Sequence, residues 1–165
     1  MQRILACGKL HRPRQCYSLC LDHLPAPARP PFTVVDAAVS AAPCWTEMPC
    51  CQRGALRLEV TVPLTLRVRD GCGRFYTASA TLEDELRLRL SCPENECWRG
   101  QIFVQAAVRL CGNCCPCDPG CCEAPLEVML EGYVLAPCAM GVPAPSCRPE
   151  PRPWYPQMGF DPFNQ

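Results

Sequence analysis

The stretch Leu56-Arg57-Leu58-Glu59-Val60-Thr61-Val62-Pro63-Leu64-Thr65-Leu66-Arg67-Val68 places an apolar residue at every second position, with Arg, Glu, Thr and Pro between. A two-residue period sends alternate side chains to opposite faces, so the stretch predicts a β-strand with one face in a core. Asp70-Gly71-Cys72-Gly73 supplies turn residues, and the alternation then resumes. On the return run Tyr76, Ala78, Ala80, Leu82, Leu86, Leu88 and Leu90 share one face, while Phe75, Thr77, Ser79, Thr81, Glu83, Glu85, Arg87 and Arg89 share the other. The pair predicts a long β-hairpin. Leu82, Leu86 and Leu90 also recur at helical spacing, but the alternation runs on from Tyr76 and Ser91-Cys92-Pro93 ends it without a cap, which favours strand. Asp84, the one polar residue on the apolar face, and Pro63 predict a bulge, a bend or an edge position near the middle of the hairpin.

Outward from the hairpin, Ile102, Val104, Ala106, Val108 and Leu110 form a third alternating run, and Leu126, Val128, Leu130 and Val134 a fourth. The loops before them hold the turn formers Pro93-Glu94-Asn95 and Pro116-Cys117-Asp118-Pro119-Gly120. The expected fold is therefore all-β: one antiparallel β-sheet or β-sandwich-like domain with Cys-rich loops and a Pro-rich C-terminal tail. Composition divides the chain into an irregular Cys- and Pro-containing segment (residues 1–54), the antiparallel β domain (55–136) and the tail (137–165). The tail carries Trp154, Tyr155, Phe160 and Phe163 among its prolines, so it reads as extended, either docked through its aromatics or loose. A sheet apolar on one face must cover that face. Residues 32–39 offer one N-terminal strand as a partial cover, and self-association through the sheet is the alternative.

A chain of 165 residues suits one domain. The 16 basic and 16 acidic side chains balance, so no net field draws the chain to nucleic acid or an anionic membrane. No apolar run approaches the roughly eighteen residues of a membrane helix. The first residues break into Leu10-His11-Arg12-Pro13-Arg14 without the apolar core of an export signal, which predicts synthesis in the cytoplasm without a signal peptide.

The chemistry lies in the 17 cysteines. Within Cys111-Gly112-Asn113-Cys114-Cys115-Pro116-Cys117-Asp118-Pro119-Gly120-Cys121-Cys122, the thiolates of Cys111, Cys114, Cys117 and Cys121 have a spacing that can ligate zinc tetrahedrally. Zinc knuckles usually bracket a folded stretch, however, and Cys115 and Cys122 are left over. Disulfide bonding within the loop or between chains is the preferred role. Cys7, Cys16, Cys20 and His23 form a weaker Cys3His set; a cysteine at His23 would have completed the CxxxCxxC pattern of radical iron–sulfur enzymes, but no barrel-forming βα repeat follows. His11 and His23 are the only histidines, no nucleophile or phosphate-binding motif occurs, and Glu83 and Glu85 read as a solvated strand face. No catalytic set emerges, and the expectation is a non-enzyme. Trp98 reads as packing over a loop that Cys92 and Cys97 can staple. An odd cysteine count leaves at least one thiol for another chain, and the adjacent pairs Cys50-Cys51, Cys114-Cys115 and Cys121-Cys122 each reach two different partners.

The segments Val60-Thr61-Val62-Pro63-Leu64, Val68-Arg69-Asp70-Gly71-Cys72-Gly73, Cys97-Trp98-Arg99, Val108-Arg109-Leu110 and Leu126-Glu127-Val128-Met129-Leu130-Glu131-Gly132-Tyr133 carry a resemblance. Within block 55–135, about half the chain, the sequence resembles cysteine-rich spore-coat and spore-surface proteins of Firmicutes, an uncharacterised clostridial group. That resemblance implies a structural protein, disulfide-cross-linked to itself or to other coat-like proteins in a spore coat or cell-surface layer. It implies no active residues. The alternative expectation is a zinc-binding cytosolic interaction module using the Cys-rich loop.

Overall fold

In a computed structural model, which describes residues 2–50, 53–91, 100–117 and 120–137, the hairpin that the alternation predicts is the longest unbroken ladder of the protein. Strands β4 (Ala55–Arg69) and β5 (Phe75–Leu90) pair antiparallel from Ala55↔Arg89 to Arg69↔Phe75 without a register shift. The bulge expected near Pro63 is absent from this ladder. The interruption falls on the other side of β4, where β2 (Thr33–Val39) and β3 (Cys44–Met48) pair end to end along it. Pro63 sits where β2 gives way to β3, and its carbonyl accepts from the Ser40 amide at 3.0 Å. In an antiparallel strand a residue's N–H and C=O point the same way, so the donor that proline lacks would have faced this gap. Locally, Pro63 occupies an edge.

The turn between β4 and β5 is organised by a buried carboxylate. Asp70, 4% exposed, accepts from the Cys72 and Arg74 amides at 2.9 Å each, from the Arg29 amide at 3.3 Å and from the Arg74 guanidinium at 3.1 Å. Gly71 lies under the segment before β2: its amide donates to Arg29 O at 2.7 Å, and a Cβ there would stand 2.5 Å from Pro30 O. Only glycine fits that approach.

The remaining strands among the described residues are β1 (Gln2–Cys20), β6 (Gln101–Leu110) and β7 (Cys121–Pro137). All seven form one antiparallel sheet in the order β2–β4–β5–β1–β7–β6, with β3 beside β4. Residues 1–54, expected to be irregular, thus contribute three strands, and β1 holds the centre of the sheet between β5 and β7. The end strands β2 and β6 lie against each other. Phe32, just before β2, and Cys117, after β6, exchange two backbone hydrogen bonds of 2.7 and 2.8 Å. The sheet therefore curls into a nearly closed barrel.

Its interior is the predicted apolar face. Leu58, Val60, Val62, Leu64, Leu66 and Val68 of β4 are buried with Ala78, Ala80, Leu82, Leu86 and Leu88 of β5, Leu126, Val128, Leu130 and Val134 of β7, and Tyr17 and Leu19 of β1. At roughly 1.5–3 kcal/mol per large apolar side chain, this set is the main drive to fold. The apolar face needs no second copy to cover it, because the sheet covers it with itself. Ile102, Val104, Ala106 and Leu110 of the end strand β6 are only partly buried. Trp98, the Cys92–Cys97 loop, Cys51, Cys138, Cys147 and the Pro-rich tail with its aromatics lie outside the described residues.

Two glycines let the barrel fold over tightly at β1. Gly8 and Gly132 are cross-strand partners, and β5 lies directly on them. A Cβ on Gly132 would meet the Leu86 and Leu88 methyls at 2.8 Å, flexible ends that can shift, whereas one on Gly8 would collide with the Arg87 carbonyl oxygen. In urea unfolding, Gly132→Ala should cost about 1–2 kcal/mol, and Gly8→Ala about 3 kcal/mol or more. Equal costs would contradict this packing.

Candidate functional site

Most of the described cysteines gather where β1 ends and β7 begins. The register runs Gln15↔Leu126, Cys16↔Pro125, Tyr17↔Ala124, Ser18↔Glu123, Leu19↔Cys122 and Cys20↔Cys121. Alternation then sorts the sulfurs. Leu19 and Cys122 point inward and are fully buried, so Cys20 and Cys121 point outward, and both are exposed. Cys122 is disulfide-bonded to Cys117, with a Cα–Cα separation of 5.6 Å. Because Cys117 also exchanges backbone hydrogen bonds with Phe32, the bond staples the first residues of β7 to the loop that closes the barrel.

A second group surrounds Cys114. The Cys111 amide donates to Pro125 O at 3.0 Å, and Cys16 pairs with Pro125 from the other side, so these two cysteines flank one residue of β7. Cys114 is buried, and burial pushes its thiol up, helped by nearby Cys115, Cys16 and Cys111. The Arg14 guanidinium lies over Gly112, where a Cβ would come within 3.1 Å of it.

The four candidate zinc ligands are not brought together: Cys117 is bonded to Cys122, Cys121 faces Cys20, and only Cys111 and Cys114 remain near each other. Among the described residues no group of three or more His, Cys, Asp or Glu side chains is arranged to hold a metal ion. The other candidate set is spread along β1. Cys7 pairs with Tyr133, nine residues before Cys16, a separation of roughly 30 Å at about 3.3 Å per residue. His23 lies beyond the strand with a φ of 62°.

Beside the sulfur-rich end, the seam between β1 and β5 holds a charge in the core wall. The two strands are ladder-paired at Ala6↔Leu90 and Cys7↔Arg89 and meet again at the Asp22↔Ser79 bridge. Between these points side chains span the seam. Asp84, with its side chain 9% exposed, accepts from Arg12 Nε at 3.3 Å, Arg12 Nη2 at 3.2 Å, Tyr17 Oη at 2.7 Å and the Glu85 amide at 2.8 Å. Burial alone would raise this carboxyl, but the hydrogen bonds from Arg12, Tyr17 and Glu85 hold it below the ordinary Asp value. Burial, then the bond to Asp84, pushes the Tyr17 hydroxyl up. A carboxylate with both oxygens occupied is a poor proton acceptor, and a tyrosine so raised is a poor donor near neutrality. The arrangement locks the seam.

On the outer face, Glu85 pairs with Arg57 at 2.6 Å and Arg87 at 2.9 Å, so it belongs to a surface ion network. Glu127 accepts from His11 at 2.9 Å and Arg109 at 2.6 Å, and the bond from His11 leads in lowering its carboxyl. The lone polar residue on the apolar face was the signal that could find Asp84. Its partners Arg12 and Tyr17 lie on a strand the periodicity did not reveal.

A folded-state Asp pKa below the unfolded value adds stability that is present above about pH 4 and lost as pH falls through the lowered value. Melting followed by circular dichroism should therefore drop on acidification below about pH 4, and Asp84→Asn should flatten that dependence. Arg12→Ala should cost about 2 kcal/mol at pH 7, since it strips the buried carboxylate of its cation. An unchanged acid profile in Asp84→Asn would refute the assignment. Comparisons with protein-family models, curated proteins and solved structures find nothing that matches this chain.

Proposed function

We propose that the protein is a non-enzymatic structural building block, cross-linked through disulfides to itself or to other coat-like proteins in a spore-coat-like or surface layer. The observation that carries this reading is the placement of free thiols. Cys7 on β1, Cys44 on β3, Cys72 on the β4–β5 turn and Cys115 in the β6–β7 loop are all exposed. They occupy separate strands and loops of a barrel whose apolar interior is already filled. A block with several outward thiols can bond more than two neighbours, which is what a sheet or network requires. Synthesis in a reducing cytosol would keep these thiols free until a later oxidation joins them.

Oxidised protein should run as a ladder of multimers on non-reducing gels and collapse to monomer on reduction. Replacing Cys7, Cys44, Cys72 and Cys115 together by Ser should remove most of the ladder. Oxidised material that stays monomeric would overturn the proposal.

A zinc-binding interaction module using the Cys-rich loop is the second reading, and it rests on the ligand spacing of Cys111, Cys114, Cys117 and Cys121 along the chain. It needs the loop to close further around a metal. Elemental analysis of the reduced protein separates the two readings: near-stoichiometric zinc, lost together with folded structure on chelation, supports the module, and its absence supports the building block.

A further inference from the structure

Cys20 and Cys121 stand in a different relation from the cross-linking thiols. Leu21 N donates to Gly120 O at 3.2 Å, which makes the next facing residues, Cys20 and Cys121, a non-hydrogen-bonded pair of the antiparallel ladder. Such pairs hold their Cα atoms about 4.5 Å apart, within the span a disulfide bridges. Both thiols are on the outer face and both are exposed, and the ladder sets the two residues directly opposite each other. Their neighbour Cys122 is turned inward and already bonded to Cys117.

We infer that Cys20 and Cys121 form a thiol–disulfide exchange site that takes low-molecular-weight disulfides of the glutathione class and closes as an intrachain cross-strand disulfide. One cysteine, as its thiolate, attacks a sulfur of the small disulfide. The S–S bond of that molecule breaks, one small thiolate leaves with the bonding electrons, and a mixed disulfide forms on the protein. The second cysteine gives its proton to solvent and attacks the protein sulfur of the mixed disulfide, expelling the second small thiolate. Two protein thiols are oxidised by two electrons, and the small disulfide is reduced to two thiols. Ladder pairing holds the second sulfur beside the first, so closure outruns any reaction with another molecule. The exposed thiols Cys7 and Cys44 have no facing cysteine among their ladder partners, and Cys72 lies in the β4–β5 turn outside the ladders, so these three stop at the mixed-disulfide stage or await a second chain. This inference does not rest on the cross-linking reading.

The test uses the reduced full chain in buffers of oxidised and reduced glutathione, trapped by alkylation, digested and analysed by mass spectrometry. The expected result is a Cys20–Cys121 linked peptide in monomeric protein, at an oxidised-to-reduced ratio at least about tenfold lower than gives adducts at Cys7, Cys44 or Cys72. Cys20→Ser should leave Cys121 as a lasting glutathione adduct, and Cys121→Ser should do the same to Cys20. Separate adducts on both cysteines of the unsubstituted chain, or a link found only in multimers, would overturn the site. A gel of the same samples reads multimer formation independently, so failure of the layer and failure of the exchange site are told apart.

Discussion

The protein is governed by one constraint: a long hairpin with one apolar face must remove that face from water without leaving its strand edges bare. A flat four-stranded sheet fails on both counts, since its inner leucines and valines would stay wet and its outer strands unpaired. Seven strands curled on themselves answer both demands together, and β1 makes this closure work. By pairing with β7 along nearly its whole length and touching β5 at its ends, β1 joins the two hairpins into one surface. The Phe32–Cys117 bridge and the Cys117–Cys122 disulfide then fasten the opposite seam.

What could be read from the sequence follows from how regularly each strand alternates. Strands β4 and β5 face the interior with leucine, valine and alanine at fixed phase, so their faces, their pairing and their turn are all legible. Strand β1 is longer yet illegible. Its inward positions hold Gly8 and Arg12, where a strand pattern calls for apolar side chains, and a register shift between Arg12 and Gln15 moves the buried set from Ala6 to Tyr17 and Leu19, reversing the phase. Each irregularity has its cause in a neighbour: Gly8 gives way to the β5 backbone, and Arg12 reaches Asp84. A period computed within one strand cannot contain such partners. The same holds for β3, whose short run beside β4 shows no alternation in burial.

The cysteines show the same limit in chemical form. Spacing along the chain groups Cys111, Cys114, Cys117 and Cys121 as ligands, because in an isolated loop nearness in sequence is the only measure of nearness in space. Once β7 starts at Cys121, adjacent residues are sent to opposite faces. Cys122 goes to the interior and meets Cys117; Cys121 goes to the surface and meets Cys20, a hundred residues away in sequence, through the ladder. The strand period therefore assigns neighbouring sulfurs different partners and different exposure, and a doubled cysteine at a strand end gives one staple and one outward thiol.

The Arg12–Asp84–Tyr17 cluster fits the same account and shows why a charge stands in the barrel wall. An aliphatic residue at Asp84 would bury more surface, and buried ion pairs seldom exceed a well-packed apolar replacement in stability. What the carboxylate adds is a demand for particular partners. It is satisfied only when β1 lies with Arg12 and Tyr17 at the seam, so a β1 slipped by one residue would turn these donors to the other face and leave the charge unpaired. Along this stretch of the seam backbone pairing between β1 and β5 is missing, and leucine contacts alone tolerate sliding. The charge adds registration between the two backbone-paired points of the seam, and the fold trades some apolar burial for a single way of closing.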